Sequence, residues 1–288
     1  MEHKIRTDLA VEIEQLRRGE GAALPGVRSR TARRGGFELT TTEVLDDTGA
    51  AALGKPVGRY VTLELGALLR REENAFADAA ALLAEQLRAL APLPHGAPVL
   101  VVGLGNRDIT PDAVGPAAVD SVMVTRHLRE LLPEHFGAFR PVTAVCAGVL
   151  GTTGIESGDL VSAVASVVEP ATVIAVDALA SRSASHLGST VQLADTGIVP
   201  GSGVGNARSA LSRETLGVPV IAVGVPTVVD AGTLAADLGG ADADLRGLVV
   251  TPRDIDRLVR DAAKLVGYGI NLALHEGLTV ADVDMLLS

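Results

Sequence analysis

The chain has 288 residues, of which 47% are hydrophobic and 21% are charged, and its formal net charge is −10. This composition is typical of a globular protein and excludes a wholly disordered chain. The negative charge and the 2% share of aromatic residues disfavour direct nucleic-acid binding, which needs a basic face and, for single strands, stacking platforms. No apolar segment has the form of a secretory signal or the length of a membrane span, so we expect neither and predict a cytoplasmic protein.

The first third of the chain gives weak structural signals. Arg17–Thr42 is rich in Arg, Gly and polar residues and has no sustained period, which predicts irregular structure. Arg59–Leu65 alternates as a strand does, and Glu72–Leu90 is an Ala- and Leu-rich stretch that predicts a helix.

From residue 98 onward the pattern becomes regular. Four short, nearly continuous apolar runs predict strands buried on both faces: Pro98–Gly103, Val142–Ala147, Ala171–Val176 and Pro219–Val225. A weaker strand and three helical segments are also predicted: Ser189–Leu193, then Pro116–Leu132, parts of Gly203–Leu216, and Pro252–His275. The alternation predicts one α/β domain, a three-layer sandwich with helices on both faces of a mostly parallel sheet.

The single cysteine, Cys146, excludes an intramolecular disulfide bond and fits a reducing compartment. It lies in an apolar, strand-like run, Pro141–Gly148, with no histidine nearby in sequence. We therefore predict a buried structural thiol rather than a nucleophile.

Two glycine-rich segments resemble nucleotide-binding loops but lack essential parts. Gly49–Pro56 (GAAALGKP) nearly matches a phosphate-binding loop, but Pro56 replaces the hydroxyl residue that would hold magnesium. The Gly-Leu-Gly of residues 103–105 follows a strand, yet Asp108 stands where the third glycine of a dinucleotide fingerprint belongs. A third segment, Gly201–Asn206, either cradles an anion or makes tight turns. The sequence contains neither a serine-hydrolase elbow nor a zinc-peptidase motif.

Two carboxylates stand where the predicted sheet would bind a ligand. Asp177 ends the apolar run ATVIAVD, and Asp112 lies in the loop after the strand at Pro98–Gly103. Ligands of open α/β sheets bind at the carboxyl ends of strands, and two close carboxyl groups share a proton because both cannot ionise cheaply. One can then take a proton from water while the other protonates an amide, which hydrolyses a peptide without a covalent intermediate. The sequence leaves open the simpler alternative, in which each aspartate only caps a helix.

Six segments resemble the germination proteases of spore-forming bacteria, in the order of that family and over nearly the whole chain: Arg6–Glu12, Gly103–Pro116, Val176–Ser183, Asp195–Arg208, Gly224–Ala231 and Gly267–His275. The resemblance implies an atypical aspartic endopeptidase with Asp112 and Asp177 as its catalytic carboxylates and with no metal or cofactor. It also implies the phosphorylase/hydrolase-like α/β fold of hydrogenase-maturation endopeptidases, a homotetramer, and a place in the forespore or spore core.

The resemblance gives the N-terminus a role as well. Family members cut small acid-soluble spore proteins after the Glu of a sequence of the type Thr-Glu, then Phe or Ile, then Ala-Ser-Glu, and Thr7–Glu12 (TDLAVE) is similar to it. We therefore predict a propeptide of residues 1–8, removed by cleavage between Asp8 and Leu9, and a single peptidase domain over residues 9–288. Alternatively, Asp8 only starts the helix that follows it.

The acidic residues of such a substrate call for a cationic partner. Arg182 is our candidate for contacting a substrate carboxylate, with a solvated surface arginine as the alternative. Four polar residues of the matching segments either orient the site or close turns: Asn106, Asp195, Asn206 and Asp230. His275 is predicted as an imidazolium at a helix C-terminus, where it would suit the helix dipole.

Two other functions remain open at this point. One is a metal-dependent maturation-type peptidase that uses Asp112 and Asp177 as ligands. The other is a non-catalytic protein that binds an anion or a peptide on the same fold, with Gly201–Asn206 as the anion loop.

Overall fold

The computed structural model describes residues 6–91, 93–205, 208–238, 245 and 247–288. The described residues form a nine-stranded sheet, whose strands are β1 (Val27–Arg34), β2 (Phe37–Val44), β3 (Gly58–Glu64), β4 (Val99–Leu104), β5 (Val142–Gly148), β6 (Thr172–Ser181), β7 (Thr190–Ala194), β8 (Val220–Asp230) and β9 (Val249–Val250). The strands lie in the order β1-β2-β3-β7-β8-β6-β4-β5, and β9 pairs with β8.

One half of the sheet, made of β5, β4, β6 and β8, is parallel. All residues of β4 are buried, and alternate residues enter opposite layers. Val99 and Val101 belong to one apolar cluster, whereas Leu100 and Val102 belong to another. Burial on both faces explains the continuous apolar runs of β4, β6 and β8. The same prediction of burial on both faces is wrong for β5, which is only partly buried because it lies at an edge of the sheet. The predicted α/β fold is confirmed, and this half of its sheet is parallel as predicted.

The other half of the sheet, from β8 through β7, β3 and β2 to β1, is antiparallel. The prediction of irregular structure for Arg17–Thr42 is wrong, because β1 and β2 form a hairpin over most of it. β1 is an exposed edge strand and carries four arginines. Charged edges discourage pairing with another chain, but here they also hide the alternation by which a strand is recognised.

Helices cover both faces of the sheet. They are α1 (Ala10–Gly19), α2 (Asp47–Leu53), α3 (Gly66–Leu69), α4 (Ala75–Leu90), α5 (Val114–Val119), α6 (Arg126–Leu131), α7 (Pro133–Phe136), α8 (Leu150–Thr153), α9 (Ser157–Val168), α10 (Arg213–Leu216), α11 (Ala231–Asp237), α12 (Ile255–Leu274) and α13 (Val280–Leu287). On one face lie α4, α5 and α12; on the other, α9 packs on the parallel half, and α1 and α2 pack on the antiparallel half. Within the described ranges, no helix has both the length and the hydropathy needed to span a membrane.

The single helix predicted over Pro116–Leu132 is interrupted between α5 and α6. The side chain of Asn271, which lies on α12 and is fully buried, binds this break from the neighbouring helix. It accepts a hydrogen bond of 2.8 Å from the N–H of Met123 and donates one of 2.8 Å to the carbonyl oxygen of Ser121. A side-chain amide therefore replaces the hydrogen bonds that a continuous helix would have made.

Cys146 is exposed, so the prediction of a buried thiol is wrong. The residue lies on β5, which forms an edge of the sheet. An edge strand of this kind can be apolar in sequence and still leave one side chain outside the core. The Sγ atom of Cys146 lies 3.7 Å from the guanidinium of Arg107.

Candidate active site

The first predicted carboxylate, Asp112, lies in a short 3-10 turn (Thr110–Asp112) in the loop after β4. Its Oδ2 atom accepts a hydrogen bond of 2.7 Å from the backbone N–H of Asn106. Gly105 makes this loop possible, since its φ is +100° and a Cβ there would lie 2.1 Å from the carbonyl oxygen of Asp112. The loop thus holds the carboxylate in a fixed orientation.

The sequence indicated that the second carboxylate, Asp177, ends its strand. In the structure it lies within β6 instead. The last residue pair between β4 and β6 joins Gly103 to Val176, and β6 then continues beside β8 as far as Ser181. Asp177 is therefore the first residue of β6 beyond the end of its pairing with β4. Only 5% of this residue is exposed, and its Oδ1 atom accepts a 2.9 Å hydrogen bond from the N–H of Ala178.

Asp112 and Asp177 line the same cavity, which has a volume of about 540 Å³. Burial raises the pKa of Asp177 well above its ordinary value, and the negative charge of Asp112 raises it further. Burial also raises the pKa of Asp112, although the hydrogen bond from Asn106 opposes this effect. Two such carboxyl groups in one cavity are able to hold a single proton between them.

The N-terminal segment enters this cavity at Asp8. The N–H of Asp8 donates a 2.8 Å hydrogen bond to the carbonyl oxygen of Ala180. Its carboxylate accepts hydrogen bonds from the N–H of Ala180, at 2.9 Å, and from the Oγ of Ser202, at 2.8 Å. A Cβ at Gly203 would lie 2.0 Å from this carboxylate. The described part of the glycine-rich loop therefore contacts an anion and also makes tight turns, with Gly201 and Gly205 both at a φ of +74°, so both alternatives that its sequence left open hold.

The peptide bond between Asp8 and Leu9 is held on both sides. The carbonyl oxygen of Asp8 accepts hydrogen bonds from Lys55 Nζ, at 2.9 Å, and from Gln192 Nε2, at 3.2 Å. The Oε1 atom of Gln192 accepts a 2.7 Å hydrogen bond from the N–H of Ala10. Leu9 is fully buried in a small apolar cluster. Because α1 begins at Ala10 and the side chain of Asp8 is bound elsewhere, Asp8 does not cap this helix.

Glu12, four residues after Asp8, occupies a polar subsite and is only 3% exposed. Its carboxylate accepts hydrogen bonds from the N–H groups of Arg182, at 2.6 Å, and Ser183, at 2.9 Å, and His186 Nδ1 lies 2.5 Å from it. Burial by itself raises the pKa of Glu12, but these hydrogen bonds, with that of His186 foremost, lower it overall. The hydrogen bond to Glu12 in turn raises the pKa of His186. The contact therefore favours the charged forms of both groups, a Glu12 carboxylate and a His186 imidazolium.

Arg182 contacts Glu12 through its backbone N–H group. Its guanidinium instead forms a two-pronged ion pair with Asp237, with nitrogen–oxygen distances of 2.7 and 3.0 Å. The sequence thus indicated the right position for contact with a glutamate, but the N–H group and not the guanidinium makes that contact.

Of the remaining candidate residues, Asn106 and Asp230 line the same cavity as the two acids. Asp195 accepts hydrogen bonds from the N–H and Nε of Arg59 at the start of β3. Asp230 caps α11 by accepting the N–H of Thr233. Asn106 orients Asp112, as described above, and Asn206 lies outside the described residues.

His275 lies at the C-terminus of α12, as predicted, but not as an imidazolium. Burial, assisted by the charge of Arg140, lowers the pKa of His275 to about 4. Within the described part of the chain, neither ring nitrogen has a hydrogen-bond partner. The cost of burying a charge outweighs the attraction of the helix dipole at this position.

Sequence reasoning missed two residues that contact the Asp8–Leu9 bond, Lys55 and Gln192. Lys55 drew notice only within the failed phosphate-loop match, and its partner is 47 residues away in the sequence. Gln192 is the only amide in the strand TVQLA, and it is buried. A buried amide needs hydrogen-bond partners, so this isolated glutamine was the available signal.

The two aspartates are not part of a larger set of metal donors. Across the described ranges, no group of three or more His, Cys, Asp or Glu side chains is arranged to hold a metal ion. Catalytic zinc sites use three protein ligands. The metal-dependent alternative would therefore need ligands beyond Asp112 and Asp177.

Comparison with known proteins identifies the family. The sequence pattern of the germination protease family matches residues 5–239. The germination protease of Caldanaerobacter subterraneus subsp. tengcongensis is 42% identical, with 98% of each chain covered, and that of Clostridium tetani is 37% identical, with 99% of each covered. A solved [NiFe] hydrogenase maturation protease, HycI from Thermococcus kodakarensis, is 18% identical, with a TM-score of 0.37 over 62% of this chain and 92% of that chain. The chain therefore belongs to the germination protease family and is a protease of spore germination.

Proposed function

We propose that the chain is an atypical aspartic endopeptidase in which Asp112 and Asp177 activate water. It first removes its own residues 1–8 and then cuts small acid-soluble spore proteins. One observation carries the proposal: the substrate-like segment Thr7–Glu12 enters the cavity that the two acids line, and it does so at Asp8, the residue before the expected cut. The homotetramer and the spore-core location implied by the resemblance belong to the same proposal.

The chemistry requires the pair of acids to hold one proton. We assign that proton to Asp177, whose burial is deeper and whose pKa two neighbouring carboxylates raise. Asp112 then takes a proton from water as the water oxygen attacks the carbonyl carbon of Asp8. Asp177 delivers its proton to the nitrogen of Leu9 as the C–N bond breaks. The products are the carboxyl group of residue 8 and the amine of residue 9.

The residue before the cut contributes to this electrostatic arrangement. The charge of the Asp8 carboxylate is itself one of the causes that raise the pKa of Asp177. An acidic residue at this position therefore helps to keep the shared proton on the pair. Ala180 and Ser202 supply the hydrogen bonds that such a carboxylate needs once it leaves water.

A spore protein would use the same subsites after the propeptide is removed. Its acidic residue before the cut would take the place of Asp8, and its glutamate four residues further on would take the place of Glu12 beside His186. Residues 9–12 remain attached to the enzyme after cleavage. This segment must therefore leave its subsites before a second peptide can bind there.

The test is incubation of the self-processed protein with a small acid-soluble spore protein, with the cut mapped by mass spectrometry. We expect one cut after the acidic residue of the Thr-Glu type sequence and no cut by Asp112→Asn or Asp177→Asn. Equal activity of either variant would reject the acid pair. Loss of activity in a chelator, with recovery on adding a divalent metal, would favour the metal-dependent alternative instead.

A further inference from the structure

The carbonyl oxygen of Asp8 is the atom on which negative charge develops when water attacks the Asp8–Leu9 bond. Two hydrogen-bond donors from distant parts of the chain already point at it, Lys55 Nζ and Gln192 Nε2. We propose that Lys55 and Gln192 are catalytic residues that polarise this carbonyl group and stabilise the oxyanion. This role rests on the proposed hydrolysis of the bond.

The position of Lys55 is set by the end of α2. Asp46 caps the start of this helix by accepting the N–H of Gly49, and Gly54 ends it with a φ of +73°. Lys55 follows at once and turns its ammonium towards the N-terminal segment. The backbone around α2 thus delivers a cation to one particular peptide oxygen.

The surroundings of Lys55 favour a catalytic over a structural role. Among the residues that the structure describes, no carboxylate oxygen lies within 4.0 Å of its ammonium, and the carbonyl oxygen of Asp8 is its hydrogen-bond partner. Burial lowers the pKa of Lys55, while the nearby charge of Asp8 opposes this effect. Keeping an ammonium group with little hydration and no carboxylate in contact costs free energy. An anion that forms on the bound oxygen would place a countercharge in direct contact with the ammonium.

Gln192 acts as a clamp on the main chain. It lies on β7 between β3 and β8 and is 7% exposed. Its donor end contacts the carbonyl group of Asp8 and its acceptor end contacts the N–H of Ala10. Because both contacts are to backbone atoms, the same amide would hold any peptide that takes the place of this segment. A buried amide with no peptide to bind would leave both polar ends unsatisfied.

Neither Lys55 nor Gln192 gains or loses a proton in the proposed step. The water oxygen bonds to the carbonyl carbon, and the π electrons of the C=O bond move to the oxygen that Lys55 and Gln192 contact. When the C–N bond breaks, those electrons return, and the nitrogen of Leu9 takes its proton from the acid pair. Donors placed on a developing oxyanion are each worth about 100- to 1,000-fold in rate.

Cleavage of the full-length chain in cis tests this directly, because the scissile bond is already in place. We would follow the first-order loss of intact protein by mass spectrometry for Lys55→Met and for Gln192→Glu. The glutamate keeps the size of the side chain and the acceptor for Ala10 but removes the donor. We expect Lys55→Met to be slower by about 100-fold or more and Gln192→Glu by at least about 10-fold. The matched control is Lys264→Met, which removes the other lysine within the described ranges. It should leave the rate unchanged, because Lys264 lies on α12 and contacts Asp284 of α13 rather than the N-terminal segment.

A second measurement separates catalysis from simple anchoring of the segment. In an Asp177→Asn background, which we expect not to cut, hydrogen exchange reports the protection of the amides of Asp8 and Ala10. These amides bind Ala180 and Gln192 and not Lys55. Their protection should be the same with and without Lys55→Met. Loss of protection in proportion to the loss of rate would overturn the catalytic role, as would a Lys55→Met rate within about threefold of the wild type.

The cleavage rates of the four variants distinguish the oxyanion contacts from the acid pair. If Asp112→Asn and Asp177→Asn stop cleavage while Lys55→Met and Gln192→Glu cut normally, the oxyanion contacts are wrong and the acid pair stands. If the two Asn variants cut at the wild-type rate while Lys55→Met is slow, the acid pair is wrong and the oxyanion contacts stand. If the wild-type chain does not cut at Asp8–Leu9, both are rejected.

Discussion

The two halves of the sheet contribute different parts of the site. The parallel half supplies the acids, with Asp112 in the loop after β4 and Asp177 on β6. The antiparallel half supplies the contacts to the peptide bond, with Gln192 on β7 and Lys55 between α2 and β3. The acids can be found by following strands to their carboxyl ends. The peptide contacts depend on the antiparallel half, in which the sequence predicted β3 and, more weakly, β7 but not the hairpin of β1 and β2.

The N-terminal segment connects these halves. Asp8 binds Ala180 at the end of β6 and, through its carbonyl oxygen, the donors of the antiparallel half. In the proposed mechanism, cleavage of this segment needs residues from both halves. Variants in the parallel half should therefore change mainly the chemical step, and variants in the antiparallel half mainly the contacts to the peptide bond. Measuring both kinds of variant tests the difference between the halves.

The largest effect is expected from Asp177→Asn in the parallel half. It should reduce cleavage in cis by at least about 1,000-fold, because the proton donor to the leaving amine is lost. It should also stabilise the fold at neutral pH by about 1–2 kcal/mol, since it removes a buried acid that a functional site tolerates at a cost in stability. Mass spectrometry and chemical denaturation measure the two effects.

The stability gained by Asp177→Asn should depend on pH. The pKa of Asp177 is raised in the folded state, mainly by burial, so the wild type loses stability as the pH rises through that raised value. Asparagine does not titrate. The gain in stability should therefore be present at neutral pH and vanish in acid, and a gain that grew in acid would contradict the burial of a neutral Asp177.

The next largest effect is expected from Gly203→Ala at the glycine-rich loop. A Cβ there would lie 2.0 Å from the carboxylate of Asp8 and 2.7 Å from Cβ of Ala180. We expect cleavage in cis to slow by about 10- to 100-fold because a displacement of about 1 Å at the reacting bond has an effect of this size. Gly19→Ala is the control, since a Cβ there meets no atom within 4 Å. Equal rates for the two variants would show that the Asp8 carboxylate is not bound as described.

A smaller effect is expected from Glu12→Gln, which removes a charge without changing the size of the side chain. It should lower the free energy of unfolding by about 1–3 kcal/mol near neutral pH, because hydrogen bonds between charged groups are lost. The Glu12 pKa is lowered and the His186 pKa is raised in the folded state. The pair therefore stabilises the fold between these two values and loses this effect outside them. An NMR titration should show the pKa of His186 falling towards its ordinary value in the variant; an unchanged value would contradict the pairing.

The smallest effect is expected from Arg182→Ala. Alanine keeps the N–H that binds Glu12, and the guanidinium that it removes is engaged by Asp237. Cleavage in cis should stay within about threefold of the wild type, since a partly exposed ion pair contributes little. A loss of about 30-fold or more would show that the guanidinium does contact the substrate, as the sequence first indicated.

The sequence predicted the parallel half of the fold and the place of two carboxylates in one cavity for the same physical reason. Strands buried on both faces leave continuous apolar runs, and polar residues after such runs stand out. The hairpin of β1 and β2 was missed because arginines on an exposed edge strand hide its alternation. Lys55 and Gln192 were missed because their roles come from contacts with residues 47 and 184 positions away. Only the folded chain brings these residues to one oxygen atom.

The most direct test follows the full-length chain by mass spectrometry at several protein concentrations. If Asp112 and Asp177 hydrolyse the Asp8–Leu9 bond of the segment that enters their own cavity, the new N-terminus is Leu9, the rate constant does not depend on concentration, and both Asn variants stay intact. A first cut at another bond, a rate that rises in proportion to concentration, or cleavage by either variant at the wild-type rate would contradict this mechanism.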